Sequence, residues 1–141
     1  MLRKILIIGK GSISYRHKAI LKNLFKNLKI VHIGSRFFFK NLSKFKNQKF
    51  EITIIANDSS SHIKTLNFIH KNSKFIFIEK PISNNFLYVK NFFKINKINL
   101  SKIWVGYNFL FSKTFIYLKN KIENSHYGEL ISVRSTVGQN V

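Results

Sequence analysis

The sequence ILIIGKGSISYRH at residues 5–17 places a short apolar run directly before two glycines, Gly9 and Gly11. The β-branched run predicts a buried strand over residues 4–8, and the apolar spacing after it predicts a helix over residues 13–27. In a doubly wound α/β sheet, such a turn can hold a pyrophosphate, because its glycines allow a tight turn and close approach of the backbone. The stretch therefore predicts a phosphate cradle. The alternative is a plain turn in an α/β domain.

The cofactor-binding residues predicted in this first turn are Gly9, Gly11, Ser12 and Ile13. The helix that starts here would direct its positive N-terminal end at the phosphates. Ser14 stands where the dinucleotide fingerprint has its third glycine, and a small side chain there still permits close packing of the helix on the strand.

The rest of the chain alternates predicted strands with predicted helices, as parallel sheets require. Further strands are predicted over residues 29–33, 51–56, 74–79, 102–108 and 129–137. Further helices are predicted from the serines after residue 57 to about residue 71, over 85–97 and over 113–124, whereas residues 37–50 are ambiguous. We predict an α/β fold: a Rossmann-type doubly wound parallel sheet over residues 1–110. Residues 111–141 would form the first helix and strand of an incomplete C-terminal α/β substrate domain.

The end of the second predicted strand bears on which dinucleotide would bind. NAD enzymes place a carboxylate there for the ribose hydroxyls, but this chain has Gly34, Ser35 and Arg36. A hydroxyl followed by a guanidinium suits the 2′-phosphate of NADP, because arginine binds phosphate in a forked geometry. Ser35 and Arg36 are therefore predicted cofactor residues, with NADP favoured over NAD. The alternative is that Arg36 is one more solvated cation.

The formal net charge of +20 allows a second class of function, a basic nucleic-acid-binding module. Only four of the 25 basic residues are arginine, and the lysines are scattered along the whole length, a pattern typical of codon bias in an AT-rich genome. We expect non-specific nucleic-acid binding at low salt rather than a dedicated surface.

Targeting and redox signals are sparse. The chain contains no cysteine, which excludes disulfides and thiolate metal sites, and we predict no metal site. The first residues, MLRK, mimic the start of a signal peptide, but the apolar run that follows is interrupted at Gly9 and is too short for a signal core or a membrane span. We therefore expect a soluble cytoplasmic protein without a membrane partner.

Four stretches together resemble the glucose-fructose oxidoreductase, inositol dehydrogenase and rhizopine-catabolism family. They are GKGSISYRH (9–17), IANDSSSH (55–62), EKP (79–81) and VGYN (105–108), in the family's order and spacing. The resemblance implies an N-terminal Rossmann domain and a C-terminal α/β domain with an open sheet. It also implies NAD(P)-dependent oxidation or reduction of sugars, cyclitols or their derivatives.

The resemblance also implies roles for individual residues. Lys80 of EKP would be catalytic, lying beside the nicotinamide to position or polarise the reacting hydroxyl, and would help to bind the cofactor together with Glu79. His62 and Asn108 match positions near the cofactor, with a structural role favoured for His62, and Asn57 is a further predicted cofactor residue. His17 matches a helix position that favours packing. The chain departs from the family pattern at four further positions, which puts substrate contacts in doubt. They are Asn57 and Asp58 in place of a Thr-Pro pair, and Leu110 and Ser112 in place of an arginine and a histidine.

Family members are considerably longer than this chain, so we expect a truncated or frame-disrupted oxidoreductase that is poorly active alone. Two other interpretations are a fragment whose second half is encoded separately and a stand-alone cofactor-binding domain. A non-functional reading frame also remains open. The last predicted strand, ELISVRSTV, would lack sheet partners, which favours association with a missing half or with further copies of the chain.

Overall fold

The computed structural model describes residues 3–136 and residue 138. It contains five strands: β1 (Arg3–Ile8), β2 (Leu28–Ile33), β3 (Phe50–Ile55), β4 (Ser73–Ile78) and β5 (Ile103–Val105). It contains six α-helices: α1 (Ser12–Leu24), α2 (Ser35–Lys40), α3 (Leu42–Lys46), α4 (His62–Ile69), α5 (Phe86–Asn96) and α6 (Lys113–Glu123). The chain divides into two compact units, the first ending at Gly106 and the second beginning at Tyr107.

The first unit is built around a parallel sheet with strand order β2-β1-β3-β4-β5. The chain passes from β1 outwards to β2 and then returns past β1 to β3, so the direction of winding reverses at β1. In sheets of this kind, ligands bind outside the carboxyl ends of the strands at such a reversal point. The predicted Rossmann-type parallel sheet is confirmed.

Apolar side chains cover both faces of this sheet, which is why β1 reads as a continuous apolar run. Leu6 and Ile8 of β1 belong to the larger buried cluster, whereas Ile5 and Ile7 belong to a separate cluster. Helix α4 packs on the larger cluster through Ile63, Leu66 and Ile69, which recur at helical spacing. Burial of these faces fixes the strands and leaves only their ends free to carry polar chemistry.

Residues 37–50, which the sequence left ambiguous, lie mainly in the two short helices α2 and α3. Phe38 and Phe45 anchor these helices in the larger cluster, with their ring centroids 5.3 Å apart. Among the helices that the structure describes, none is long and apolar enough to cross a lipid bilayer.

The second unit contains a short 3₁₀ helix over Asn108–Phe111 and helix α6. Ser112 caps α6 by accepting a hydrogen bond from the backbone N–H of Phe115 at 3.2 Å. The predicted sixth strand is wrong over its described residues, since 129–136 are irregular and exposed, and Val137 lies outside the described residues. A strand needs a hydrogen-bonding neighbour, and the described part of this unit offers none.

Replacing Leu66 with alanine tests the packing of α4 on the sheet. Leu66 is fully buried, so Leu66→Ala removes transfer energy and leaves a cavity, and we expect a loss of about 2–5 kcal/mol in the free energy of unfolding. Urea denaturation measures this loss. The control is Leu24→Ala, at a leucine that is 67% exposed, and it should change the free energy of unfolding by less than about 1 kcal/mol. Equal losses in the two variants would contradict the packing described here.

Candidate functional site

The parallel register aligns the carboxyl ends of the strands in one row. Ile8 pairs with Ile33 and with Ile55, Ile55 pairs with Ile78, and Ile78 pairs with Val105. The backbone N–H groups of the four residues that follow the strands continue the ladder with hydrogen bonds of 2.8–2.9 Å. They are Gly9, Ala56, Glu79 and Gly106. The sheet therefore brings the GKG, IAND and EKP stretches and the start of VGYN to the same edge.

Gly9 lies where the backbone of the first loop passes closest to the third strand. Its φ of +144° is rare for residues with a side chain, and a Cβ built on it would lie 2.1 Å from the Ala56 carbonyl oxygen. No side-chain rotation can relieve that contact, because the Cβ position is fixed by the backbone of residue 9 and the Ala56 oxygen belongs to the backbone. The tight approach of the first loop to the sheet thus requires glycine at this position.

Gly11 has a different environment, since a Cβ built on it would meet no atom within 4 Å. It is the N-cap of α1, no side chain caps this end of the helix, and no acidic residue occupies the first turn. Gly11 lines a cleft of about 520 Å³ together with Ser12 and Ile13. The first backbone N–H groups of a helix lack intrahelical partners, so this end of α1 can bind an anion.

Three charged side chains line the same cleft, namely Lys10, Arg36 and Asp58. Lys10 lies across Gly34, where an added Cβ would come within 3.2 Å of its Cγ, and its Nζ lies 5.7 Å from the centroid of the Tyr15 ring. The predicted residues Ser35 and Arg36 begin α2 and also line the cleft. The sequence analysis did not single out Lys10, although a cation between the two glycines was a usable signal.

The third position of the glycine motif packs against the sheet. Ser14 is fully buried, and its hydroxyl donates a hydrogen bond to the Gly11 carbonyl at 2.7 Å. The Nε2 atom of His32, near the end of β2, lies 2.9 Å from the Gly9 carbonyl oxygen and 3.2 Å from the Ser14 hydroxyl. Sequence reasoning did not predict His32 as a site residue, because a histidine in a short apolar strand gives no local sign of what it contacts.

Asn57 and His62 connect the loop after β3 to the EKP loop. His62 is 1% exposed, with Nδ1 2.9 Å from the Pro81 carbonyl oxygen and Nε2 2.9 Å from the Asn57 carbonyl oxygen. Each ring nitrogen lies within hydrogen-bond distance of a backbone carbonyl oxygen, and a neutral ring donates to one of the two. The predicted cofactor residue His62 therefore lies buried between the two loops. Asn57 lines the cleft, and its amide donates to the hydroxyl of Thr65 at 2.9 Å.

The EKP loop is tied to α1 by a hydrogen bond between His17 and Glu79. The Nε2 atom of His17 lies 2.7 Å from Oε1 of Glu79, while Oε2 of Glu79 accepts the backbone N–H of Lys80 at 3.3 Å. Glu79 is thus occupied by protein groups. Lys80 is exposed, and within the described part of the chain its ammonium group makes no hydrogen bond. Asn108 lies in the second unit, at the start of its 3₁₀ helix.

A second, larger cleft of about 680 Å³ lies at the opposite edge of the sheet, at the amino ends of β1, β3 and β4. Five of its lining residues are basic: Arg3, Lys4, Lys49, Lys71 and Lys74. Lys74 is paired with Glu51 at 2.8 Å, and Lys49 donates to the Lys71 carbonyl oxygen at 3.2 Å. This cleft shares no residue with the four motif stretches.

The two glycines predict different outcomes when each is replaced with alanine. Gly9→Ala forces Cβ into the Ala56 carbonyl, so we expect a loss of at least about 3 kcal/mol in the free energy of unfolding, or no folded protein. Gly11→Ala adds a methyl group to open space at a helix N-cap, and we expect a change within about 1 kcal/mol. Thermal unfolding followed by circular dichroism measures both changes, and equal destabilisation would show that the loop differs from the one described.

Comparison with solved structures yields clear structural neighbours. Myo-inositol 2-dehydrogenase from Lactobacillus plantarum is 20% identical, with a TM-score of 0.71, and the match covers 93% of this chain and 44% of that one. Myo-inositol dehydrogenase from Lactobacillus casei, in complex with NAD(H) and myo-inositol, is 21% identical, with a TM-score of 0.71, and the match covers 91% and 43%. The WlbA dehydrogenase from Bordetella pertussis, in complex with NADH and UDP-GlcNAcA, is 16% identical, with a TM-score of 0.69, and the match covers 91% and 44%.

These neighbours are inositol dehydrogenases and related oxidoreductases of the family that the sequence motifs resemble. They match through their N-terminal portion, and this chain spans less than half the length of each. At these identities the likeness confirms the fold. No family profile matches the chain, and no curated protein sequence does.

Proposed function

We propose that this chain binds a nicotinamide dinucleotide in the cleft lined by Gly9, Gly11 and Arg36. The observation that carries the proposal is the open space at Gly11, the N-cap of α1 without a side-chain cap among the described residues, in a cleft lined by Lys10, Arg36 and Asp58. No atom of the described residues lies within 4 Å of a Cβ built at Gly11, which is what a loop needs if a phosphate is to approach its backbone. The neighbours crystallised with NAD(H) or NADH support the same class of cofactor.

The residues of the cleft suit the parts of such a cofactor. The backbone of Gly11, Ser12 and Ile13 at the start of α1 would hold the pyrophosphate. Ser35 and Arg36 at the start of α2 would bind the adenosine ribose, and Lys10, which lines the same cleft, would assist them. Asn57 borders the cleft from the β3 side, where the nucleotide would extend towards the EKP loop.

As an oxidoreductase domain, the chain would use Lys80 for catalysis. The bound nicotinamide would supply hydride acceptance or donation. Its backbone N–H is held by Glu79, while its ammonium group makes no hydrogen bond to the residues that the structure describes. Lys80 could therefore polarise the hydroxyl or carbonyl group of a substrate. His62 and the His17–Glu79 pair would fix the loop that carries Lys80. Sugar- or cyclitol-type substrates follow from the family resemblance.

Efficient turnover would further require a substrate-binding domain that excludes water. We place its start after residue 110, and the family resemblance implies a cofactor-binding role for Asn108. The resemblance implies that this domain supplies the remaining catalytic groups, whether from a separately encoded half or within an assembly of several copies.

A titration of the purified protein with NADPH and NADH, followed by nicotinamide fluorescence at moderate salt, tests cofactor binding. We expect saturable one-site binding, and at least about a tenfold loss of affinity in Gly11→Asp, because a carboxylate would occupy the space reserved for phosphate. Asn27→Asp is the control, since it adds the same charge at the turn before β2, at the opposite edge of the sheet. Binding that disappears with rising salt, and that nucleic acid competes away, would instead favour the basic nucleic-acid module.

Arg36→Ala tests whether the site prefers NADP. We expect the wild-type protein to bind NADPH more tightly than NADH, and Arg36→Ala to reduce that preference by about tenfold, because a charged hydrogen bond to the 2′-phosphate is lost. The control is Lys40→Ala, which removes an equal charge from the last residue of the same helix, outside the cleft. Tighter binding of NADH by the wild-type protein would show that the preference is for NAD.

A further inference from the structure

His32 lies against the glycine loop, and its contacts settle the position of its proton. The Gly9 carbonyl oxygen can only accept a hydrogen bond, so Nε2 must carry the hydrogen that it donates at 2.9 Å. The other ring nitrogen, Nδ1, is buried and has no hydrogen-bond partner in the described part of the chain. The neutral ring with its proton on Nε2 therefore fits this pocket.

A second proton would be poorly tolerated there. The titratable groups facing the ring are Lys10 of the loop, together with Lys18 and Tyr15 of α1, and the Tyr15 ring packs edge-on with its centroid 4.8 Å from that of the imidazole. From the β1 side, the register partner of His32 is Ile7, which is apolar and buried. Burial lowers the pKa of His32 below its usual 6.5, and Lys10 and Lys18 lower it further, while the bond to Gly9 acts in the opposite direction.

We propose that His32 is a positioning residue for the dinucleotide. Its neutral ring contacts the Gly9 carbonyl and the Ser14 hydroxyl, and it thereby fixes the segment between them, in which Gly11 would receive the phosphates. This inference rests on the proposed function. Protonation would place a charge on the buried Nδ1, with no acceptor and two lysines nearby, and would loosen the loop. Nucleotide affinity should therefore fall as the ring becomes charged.

The direction of the pKa shift of His32 determines how this residue makes folding stability depend on pH. A lowered pKa means that the folded protein favours neutral His32 more strongly than the unfolded chain does. The contribution of neutral His32 to folding stability is therefore complete above pH 6.5, and it is lost as the pH falls through the pKa of the folded state.

The test measures the Kd of NADPH between about pH 8 and about pH 5.5 for the wild-type protein, His32→Gln and His32→Phe. Glutamine places an N–H at the same distance along the side chain as Nε2 but does not titrate, whereas phenylalanine keeps a ring without a donor. Dividing each variant's Kd by the wild-type Kd at the same pH cancels the titration of the nucleotide's own phosphates. Circular dichroism at each pH establishes that the proteins are folded.

At about pH 8, we expect His32→Gln to bind within about threefold of the wild-type protein and His32→Phe to bind about tenfold more weakly. On acidification, the wild-type protein should lose up to about tenfold in affinity per pH unit once His32 titrates, and His32→Gln should not. The ratio of the His32→Gln Kd to the wild-type Kd should therefore fall. The exposed His126 of the second unit supplies a control, since His126→Asn should keep its ratio constant with pH.

A constant ratio for His32→Gln would overturn the inference. Wild-type affinity that rises on acidification would also overturn it, because a charged ring would then be attracting the phosphates directly. If His32→Phe does not fold, the His32→Gln ratio alone decides. If the wild-type protein binds neither NADPH nor NADH at about pH 8, the proposed function fails and this inference fails with it.

Discussion

The close approach of Gly9 to the Ala56 carbonyl is the contact on which the geometry of the site depends. Strands β1 and β3 are hydrogen-bonded to their last residues, and the N–H of Ala56 continues the ladder to the Ile8 carbonyl at 2.8 Å. The first loop must then leave the sheet directly beside the third strand, where there is no room for a Cβ. Two residues later the chain reaches Gly11, the N-cap of α1, where a Cβ would meet no described atom within 4 Å.

At this edge of the sheet, histidines contact the loops, whereas cations line the cleft. His32, His62 and His17 each connect one motif loop to another element through a backbone carbonyl or a carboxylate, at distances of 2.7–2.9 Å. Imidazole suits this task, because it packs against apolar neighbours and still presents polar nitrogens at fixed angles. Lys10 and Arg36 are left to line the cleft. The loops are therefore held by groups different from those available to a ligand.

Sequence reasoning predicted the parts of this arrangement that depend on local pattern. The β-branched run of β1, the helical spacing of α1 and the position of Gly9 and Gly11 can all be read within one short stretch, and they predicted the fold correctly. His32 could not be found in this way, because its partners Gly9 and Ser14 are distant in sequence and meet it only when β1 and β2 pair. The contacts of His62 could not be predicted for the same reason, since the Pro81 carbonyl beside its ring belongs to another loop. The predicted strand after residue 128 is wrong because alternation of apolar residues indicates only that a segment could pair in a sheet. The described part of its unit contains no strand with which it could pair.

Net charge alone would not produce the selective binding proposed for this chain. A charge of +20 spread over the surface attracts any polyanion, but at about 0.1 M salt its reach shrinks to about 10 Å, so distant lysines contribute little to holding a small phosphate ligand. In the basic cleft at the opposite edge of the sheet, Lys4, Lys49 and Lys74 already contact Gln48, the Lys71 carbonyl and Glu51. The glycine cleft differs because its cations stand beside uncapped backbone N–H groups and an unfilled space. These fixed donors would bind a phosphate of the right shape and position more tightly than other anions, which a diffuse charge cannot do. The proposed selectivity would therefore depend on the loops at the carboxyl ends of the strands. The many lysines would accelerate encounter with anions, but they would not discriminate between ligands.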